Sequence, residues 1–164
     1  MGPGAPPLQA RRASRIISVQ IFCDGAMRRK KKRDAGPPLT LTLLDGTFAV
    51  ARLPADAVVP EWAWTGEVAC VTRTRDELSV VCLADLVPAE VLAESGWRCL
   101  RVKGPLSFAL TGVFARIAQP LANAGISLFA VMTYDTDYVM VKDDRLSGAV
   151  QALMAAGHTV EVRV

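Results

Sequence analysis

Residues 97–164 predict an α+β fold whose elements follow one another in the order βαββαβ. Two stripes of apolar residues recur in this segment with the 3.6-residue period of amphipathic helices. Short runs with the alternation of β-strands lie before, between and after the stripes. A glycine follows each stripe, at Gly125 and Gly157, where helices commonly end. We therefore expect two helices packed on one face of a four-stranded sheet.

The first predicted helix has a clear start and one irregularity. Thr111 is a favourable N-cap, and Val113, Ile117 and Leu121 follow at four-residue steps. Pro120 lies inside this helix and removes one hydrogen bond, so a kink or an irregular last turn is expected. The other predicted elements are strands at residues 98–103, 126–133, 138–142 and 159–164 and a second helix at about residues 144–156. Their order is that of the ferredoxin-like split unit.

The preceding segment, residues 39–97, predicts a smaller and less complete module. Alternating runs on either side of Asp45-Gly46 predict a β-hairpin, because this dipeptide favours a tight turn. Residues 53–66 contain two prolines and two tryptophans but no pattern of a full helix. The other predicted elements are a second hairpin at residues 67–83 and a short helix at residues 88–95, which Gly96 ends.

The basic charge of the chain is concentrated in its first 38 residues. This segment has nine Lys or Arg and two Asp, a balance of +7, so residues 39–164 carry 3 − 7 = −4. Disorder is the favoured interpretation. The alternatives are an arm that binds nucleic acid or a membrane surface through the run from Arg28 to Arg33, or a segment that precedes the true start of translation at Met27 or later. The acidic remainder gives no indication of a nucleic-acid partner.

The cysteines and the hydropathy pattern indicate the type of compartment. The four cysteines form no CxxC pair and there is one histidine, so we expect no metal site. Free thiols within strand-like runs favour a reducing, cytoplasmic environment. No apolar run approaches the roughly 20 residues that span a bilayer, and the first residues lack the pattern of a signal peptide.

The sequence contains no recognisable catalytic group. His158, the one histidine, follows a predicted helix end and is expected at the surface or at a sheet edge. Neither a GxSxG motif nor a P-loop is present. We therefore expect a protein that is not an enzyme and that has no catalytic residues and no cofactor.

Two separated motifs occur in the order of a known repeat. The first is residues 71–82, Val-Thr-Arg-Thr-Arg-Asp-Glu-Leu-Ser-Val-Val-Cys. The second comprises residues 104–113 (Gly-Pro-Leu-Ser-Phe-Ala-Leu-Thr-Gly-Val), 120–127 (Pro-Leu-Ala-Asn-Ala-Gly-Ile-Ser) and 133–138 (Thr-Tyr-Asp-Thr-Asp-Tyr). Over about residues 39–164 the chain resembles small bacterial proteins with tandem ACT domains. Their repeats are related to those of CASTOR, the family of animal cytosolic arginine sensors.

The resemblance implies an organisation and a type of function. It implies an ACT module at residues 98–164, preceded by a second, incomplete ACT-like module at residues 39–97. It also implies an amino-acid-type effector bound at an interface between modules, and a homodimer. It does not identify the effector.

The order of the elements brings two loops to one edge of the predicted sheet. The first two strands of a βαβ unit are parallel, so the loop that ends at Thr111 and the turn at residues 134–137 leave the same edge. The helix start favours a carboxylate, Gly112 allows close approach to the backbone, and Asp135 and Asp137 suit an ammonium group. The alternative is that these residues only cap a helix and shape a turn. The candidate ligand-binding residues are Phe108, Leu110, Thr111, Gly112, Val113, Ser127, Thr133, Asp135 and Asp137.

The strand predicted at residues 126–133 is apolar on both faces. Leu128 and Met132 share one face, whereas Phe129 and Val131 share the other. Helices cover only one face of a βαββαβ unit, so either the N-terminal module or a second chain is expected on the other. Three functions remain open: a sensor of a small effector, a dimeric interaction scaffold without a ligand, and a factor that binds nucleic acid through its basic tail.

Overall fold

The strand and helix patterns form eight β-strands and two α-helices within residues 36–162, the part of the chain that the computed structural model describes. The strands are β1 Thr40–Leu43, β2 Phe48–Leu53, β3 Cys70–Arg73, β4 Leu78–Leu83, β5 Ala93–Val102, β6 Phe129–Met132, β7 Asp137–Lys142 and β8 Thr159–Val162. The helices are α1 Val113–Asn123 and α2 Leu146–Ala155, and 3-10 turns occur at Glu61–Trp64, Ala84–Leu86 and Asp143–Arg145. The disorder predicted for the basic tail concerns residues that lie almost entirely outside this range.

The C-terminal part has the predicted βαββαβ order, β5-α1-β6-β7-α2-β8, and the α+β fold class is confirmed. Its strands lie in the order β6-β7-β5-β1-β8. Strand β1 pairs antiparallel with β5 and parallel with β8, so the sheet is mixed. A strand from the N-terminal part therefore lies between the first and last strands of the C-terminal unit.

The hairpin predicted around Asp45-Gly46 is wrong. Strands β1 and β2 do not pair with each other, and both run antiparallel to the long strand β5. The pairs Leu43↔Leu100 and Phe48↔Trp97 show that β2 continues the line of β1 along the same side of β5. Gly46 has a φ of 79°, as expected for a tight turn. The turn, however, connects two strands that follow one another along β5, not two strands that pair with each other. The burial of β1 in the sheet thus outweighs the local preference of Asp45-Gly46 for a hairpin.

The helix predicted at residues 88–95 is also wrong. Residues 93–96 are the beginning of β5, where Ala93 pairs with Ala51 and Glu94 with Val50. Gly96, expected to end a helix, has a φ of 79° close to a shift of register between β2 and β5. The ladder with β2 buries Ala51 completely, and this pairing outweighs a weak local helix preference.

The C-terminal sheet has a hydrophobic core on each face. On one face Leu41, Leu100 and Val102 pack with Ile117 and Leu121 of α1, and Leu153 of α2 joins the same cluster. The other core combines side chains of the C-terminal part with side chains of the N-terminal part; its buried members are Leu44, Phe48, Val68, Val81, Cys99, Val131 and Met140. The prediction that a second layer covers this face is confirmed, and that layer is the N-terminal part of the same chain.

The N-terminal part has no α-helix among the described residues. Strands β3 and β4 form the predicted hairpin, and β4 pairs in turn with β2. At the tip of the hairpin the hydroxyl of Thr74 accepts hydrogen bonds from the backbone N–H groups of Asp76 and Glu77. The stretch predicted to lack a full helix forms only the 3-10 turn Glu61–Trp64, with Ala63 buried.

Helix α1 buries the predicted stripe of Val113, Ile117 and Leu121, but it does not begin as predicted. The N-cap is Gly112, with a φ of 71° and no side-chain hydrogen bond, and Thr111 caps nothing. The helix ends before Gly125, whose positive φ agrees with the predicted stop. Both helices are short, and no helix within residues 36–162 has the length and apolarity needed to cross a bilayer.

His158 is buried, so its expected surface position is wrong, but it does lie at a sheet edge, directly before the terminal strand β8. Pro120 lies within α1 and has no N–H to donate to the carbonyl of Arg116 one turn earlier. The imidazole Nε2 of His158 lies 3.1 Å from this carbonyl oxygen, and Nδ1 lies 3.2 Å from the backbone nitrogen of Leu39. Because the carbonyl can only accept and the amide can only donate, these two contacts fit the tautomer in which Nε2 donates and Nδ1 accepts.

Candidate ligand-binding site

The loop after β5 and the turn after β6 lie against each other, as the strand directions predict. The backbone N–H of Leu106 donates a hydrogen bond of 2.8 Å to the carbonyl of Asp135. A Cβ atom at Gly104 would lie 2.7 Å from that same carbonyl oxygen, so only glycine allows this close approach. The two segments therefore form one continuous edge of the sheet next to the start of α1.

Two threonines fix the turn after β6. The backbone N–H and the hydroxyl of Thr133 both donate to the carbonyl of Thr136, at 2.9 and 2.7 Å. The hydroxyl of Thr136, which is buried, donates to the carbonyl of Val102 and ties the turn to β5. Tyr134 and Asp137 are thus held in place by a rigid turn.

A cavity of about 220 Å³ opens between the loop, the turn and the start of α1; it is called the effector cavity below. Five predicted residues line it: Phe108, Leu110, Val113, Thr133 and Asp137. Five others, which sequence reasoning missed, also line it: Leu106, Ser107, Met132, Tyr134 and Thr136. Tyr134 and Thr136 belong to the same short turn as the predicted aspartates. Their position in the sequence could therefore have identified them as lining residues.

The other four predicted residues lie outside the lining. Thr111 and Gly112 are exposed at the start of α1, next to the cavity. Asp135 is exposed and lines a neighbouring cavity on the other side of the turn. Ser127 is exposed ahead of β6 and lines neither cavity.

Large apolar side chains form an exposed rim around the effector cavity. Phe108 and Tyr134 are 77% and 80% exposed, and their rings meet edge to face with centroids 5.1 Å apart. Leu110 and Met132 are also about half exposed. A cluster of exposed apolar side chains around a concave site is typical of a surface that a ligand or a protein partner covers.

The polar groups of the cavity are complementary to a zwitterion. Burial raises the pKa of Asp137, and no described lysine, arginine or histidine forms an ion pair with its carboxylate. The start of α1 has no side-chain cap, so the N–H groups of its first turn remain available to a carboxylate. A cationic group beside Asp137 and an anionic group at the helix start would satisfy both.

Comparison with known proteins agrees with this description. The ACT-domain family model matches residues 92–155, and a model for an accompanying N-terminal domain matches residues 46–90. Residues 92–155 therefore form an ACT domain. A crystal structure of a protein from Agrobacterium tumefaciens is 37% identical, covering 79% of this chain and 96% of that protein, with a TM-score of 0.75. The resemblance recognised from the two motifs is thereby confirmed.

More distant relatives share the fold or part of the sequence. The human protein named cytosolic arginine sensor for mTORC1 subunit 1 is 35% identical over 130 residues, which cover 71% of this chain and 38% of the human protein. This chain thus spans less than half of that relative. A Vibrio cholerae protein (TM-score 0.61, 20% identity, 73% of this chain and 91% of that one) has the same fold. So do the aspartokinase α and β subunits (TM-score 0.52, 13% identity, 72% and 97%).

Proposed function

We propose that this chain is a non-catalytic regulatory protein that senses a small amino-acid-like effector. The observation that carries the proposal is the effector cavity, in which an uncapped helix start and the unpaired carboxylate of Asp137 lie at one concave site. The ACT-domain family and the arginine-sensor name of the human relative support the same class of ligand.

Each part of an amino acid has a complementary group in the cavity. The α-carboxylate accepts hydrogen bonds from the first turn of α1, next to Val113. An ammonium or guanidinium group pairs with Asp137, which accepts charge-assisted hydrogen bonds. The aliphatic part of the ligand packs on Phe108 and Met132. The cavity supplies no nucleophile or general base positioned for catalysis, so binding rather than turnover is the proposed outcome.

We propose that a second copy of the chain closes the cavity, as a homodimer in which ACT modules meet. The exposed rim of Phe108, Leu110, Met132 and Tyr134 supports this, because a small ligand leaves most of such a rim in water. A dimeric scaffold without a ligand would use the same rim. The two functions differ in what Asp137 does, since a scaffold has no need of an unpaired carboxylate inside the cavity.

The proposed location is a reducing, cytoplasmic compartment. Cys82 and Cys99 are free and buried, and Cys70 is free and half-buried. Burial, together with the nearby carboxylate of Glu67, raises the pKa of Cys99 to about 12, so this thiol does not react readily. Binding of nucleic acid through the run from Arg28 to Arg33 stays a prediction outside the described residues.

The test is isothermal calorimetry of the full chain against the amino acids, with two matched variants. We expect Asp137→Asn to weaken the binding of the best ligand at least about tenfold, as expected for loss of a charge-assisted hydrogen bond. Asp135→Asn changes the same residue type two positions away, outside the cavity, and should leave the affinity within about twofold. Equal affinities for wild type and Asp137→Asn would place the site elsewhere.

A panel in which no amino acid binds below millimolar concentration would favour the scaffold. Gly112→Val, an obvious way to block the helix start, is a poor probe here. A side chain at Gly112 meets no atom within 4 Å, but the φ of 71° would strain a β-branched residue. Loss of binding in that variant would report a disturbed backbone as much as a blocked site.

A further inference from the structure

A second polar cavity lies behind the turn after β6, on the side of Asp135. One part of it, about 220 Å³, is lined by Thr42, Arg101, Lys103 and Glu161 together with backbone at Gly104. An adjoining part, about 320 Å³, is also lined by Arg101 and Gly104 and extends to Asp135. Arg101 and Gly104 line both parts, which are together called the groove below.

Arg101 and Lys103 have the arrangement of an anion-binding pair. Arg101 lies in β5 and Lys103 directly follows its last residue, so extended backbone would place both side chains on the same face, roughly 6.6 Å apart along the chain. This face is opposite to α1 and α2, since Leu100 and Val102 between them pack in the helix-side core. Neither side chain forms a hydrogen bond or ion pair with another described residue, although Arg101 is half-buried.

The two carboxylates of the groove, Glu161 and Asp135, form no ion pair with Arg101 or Lys103. Thr42 of β1 pairs with Arg101 on one side and with Glu161 of β8 on the other. Two strand spacings therefore separate Glu161 from Arg101, about 9.6 Å. Arg101 is half-buried, and its guanidinium, with five donors, has no acceptor among the described residues, so it can bind an oxyanion.

We propose that Arg101 and Lys103 bind the anionic group of a small molecule, a carboxylate or a phosphate, at a site separate from the effector cavity. Arg101 supplies a planar pair of N–H donors and Lys103 supplies a second positive charge. The hydroxyl of Thr42, on the neighbouring strand, is a further donor on the same face. Glu161 and Asp135, which also line the groove, repel the anion and lower its affinity.

The test is a titration of the full chain with inorganic phosphate, and separately with acetate, at constant ionic strength set by chloride. Backbone amide signals of Thr42 and Gly104 report occupancy by NMR. We expect saturable shifts that weaken at least about tenfold in Arg101→Gln and strengthen by about twofold in Glu161→Gln, since a repelling charge is removed. The stronger of the two anions identifies the class of ligand.

Arg75→Gln removes the same charge from the exposed tip of the β3–β4 hairpin and should leave the titration unchanged. Asp137→Asn should also leave it unchanged, so the result is independent of the proposed sensor function. Shifts that grow linearly without saturation, or that are equal in wild type and Arg101→Gln, would overturn the proposal. So would a loss in Arg75→Gln as large as that in Arg101→Gln.

Discussion

At the scale of single residues, a histidine side chain replaces the hydrogen-bond donor that a proline removes from a helix. Pro120 deprives the carbonyl of Arg116 of its helical donor, and Nε2 of His158 takes that place. On its other side the ring accepts the N–H of Leu39, just ahead of β1. One side chain therefore connects α1, the start of β8 and the start of β1.

This arrangement predicts that the effects of substituting His158 and Pro120 on the free energy of unfolding are strongly coupled. His158→Ala leaves a part-buried carbonyl and a buried N–H without partners, at a cost of about 2–3 kcal/mol in the free energy of unfolding. In a Pro120→Ala background the helix supplies its own donor to Arg116, so the same change should cost about 1 kcal/mol less. Urea denaturation of the four proteins measures the difference, and additive effects would contradict the shared role.

Asp137 predicts a pH dependence with a definite sign. Burial raises the pKa of Asp137, so the folded chain holds this proton more tightly than the unfolded chain. The associated stability is fully present below the ordinary aspartate pKa of about 4 and is lost as pH rises through the raised pKa. Asp137→Asn should flatten this decline in a series of urea denaturations, whereas Asp135→Asn should not. A cationic ligand that needs the carboxylate should bind more weakly as pH falls through the same range.

The residues of the site show how far sequence reasoning reaches at this scale. Strand direction placed Asp137 and Thr133 beside Leu110 and Val113, because parallel strands bring their ends to one edge. The same reasoning could not separate Asp135 from Asp137, since the orientation of each carboxylate depends on the hydrogen bonds within the turn. Ser127 rested on the motif alone, and the strand begins after it.

At the scale of elements, the start of α1 depends on backbone conformation and not on a capping side chain. Thr111→Ala should change the free energy of unfolding by less than about 0.5 kcal/mol, because its hydroxyl caps no N–H group. Gly112→Ala should cost about 1–2 kcal/mol, the penalty for a side chain in the left-handed region. Thermal and urea denaturation measure both. A larger loss of stability in Thr111→Ala than in Gly112→Ala would show that Thr111 caps the helix, as the sequence predicts.

Elements with their own periodicity were predicted correctly, whereas two features that depend on a distant partner strand were not. The stripe that ends at Leu121 and the glycine at 125 defined α1, because burial and chain termination act locally there. The offset at Asp45-Gly46 and the first half of β5 depend on a partner strand some 50 residues distant in sequence. Local turn chemistry and helix preference contain no information about that partner.

At the scale of the whole molecule, the exposed rim predicts association. The double change Phe108→Ser with Tyr134→Ser should shift sedimentation equilibrium from dimer to monomer and leave the circular dichroism spectrum of the folded chain unchanged, because both rings are largely in water in the single chain. Val58→Ser alters a side chain that is 88% exposed elsewhere and serves as the control. A dimer that persists in the double variant would mean that the interface lies on another surface.

Strand β5 belongs to both halves of the molecule. Its first residues pair with β2, and its later residues pair with β1 and β7. Separating the chain between residues 97 and 98 would cut through hydrogen-bonded ladders and expose Cys99 and Val131, which are buried in the shared core. The two halves should therefore melt in one cooperative transition, and a fragment beginning at residue 98 should be unstable alone. The turn after β6 is hydrogen-bonded to β5 at the carbonyl of Val102. A change in either half that displaces β5 can therefore alter the effector cavity.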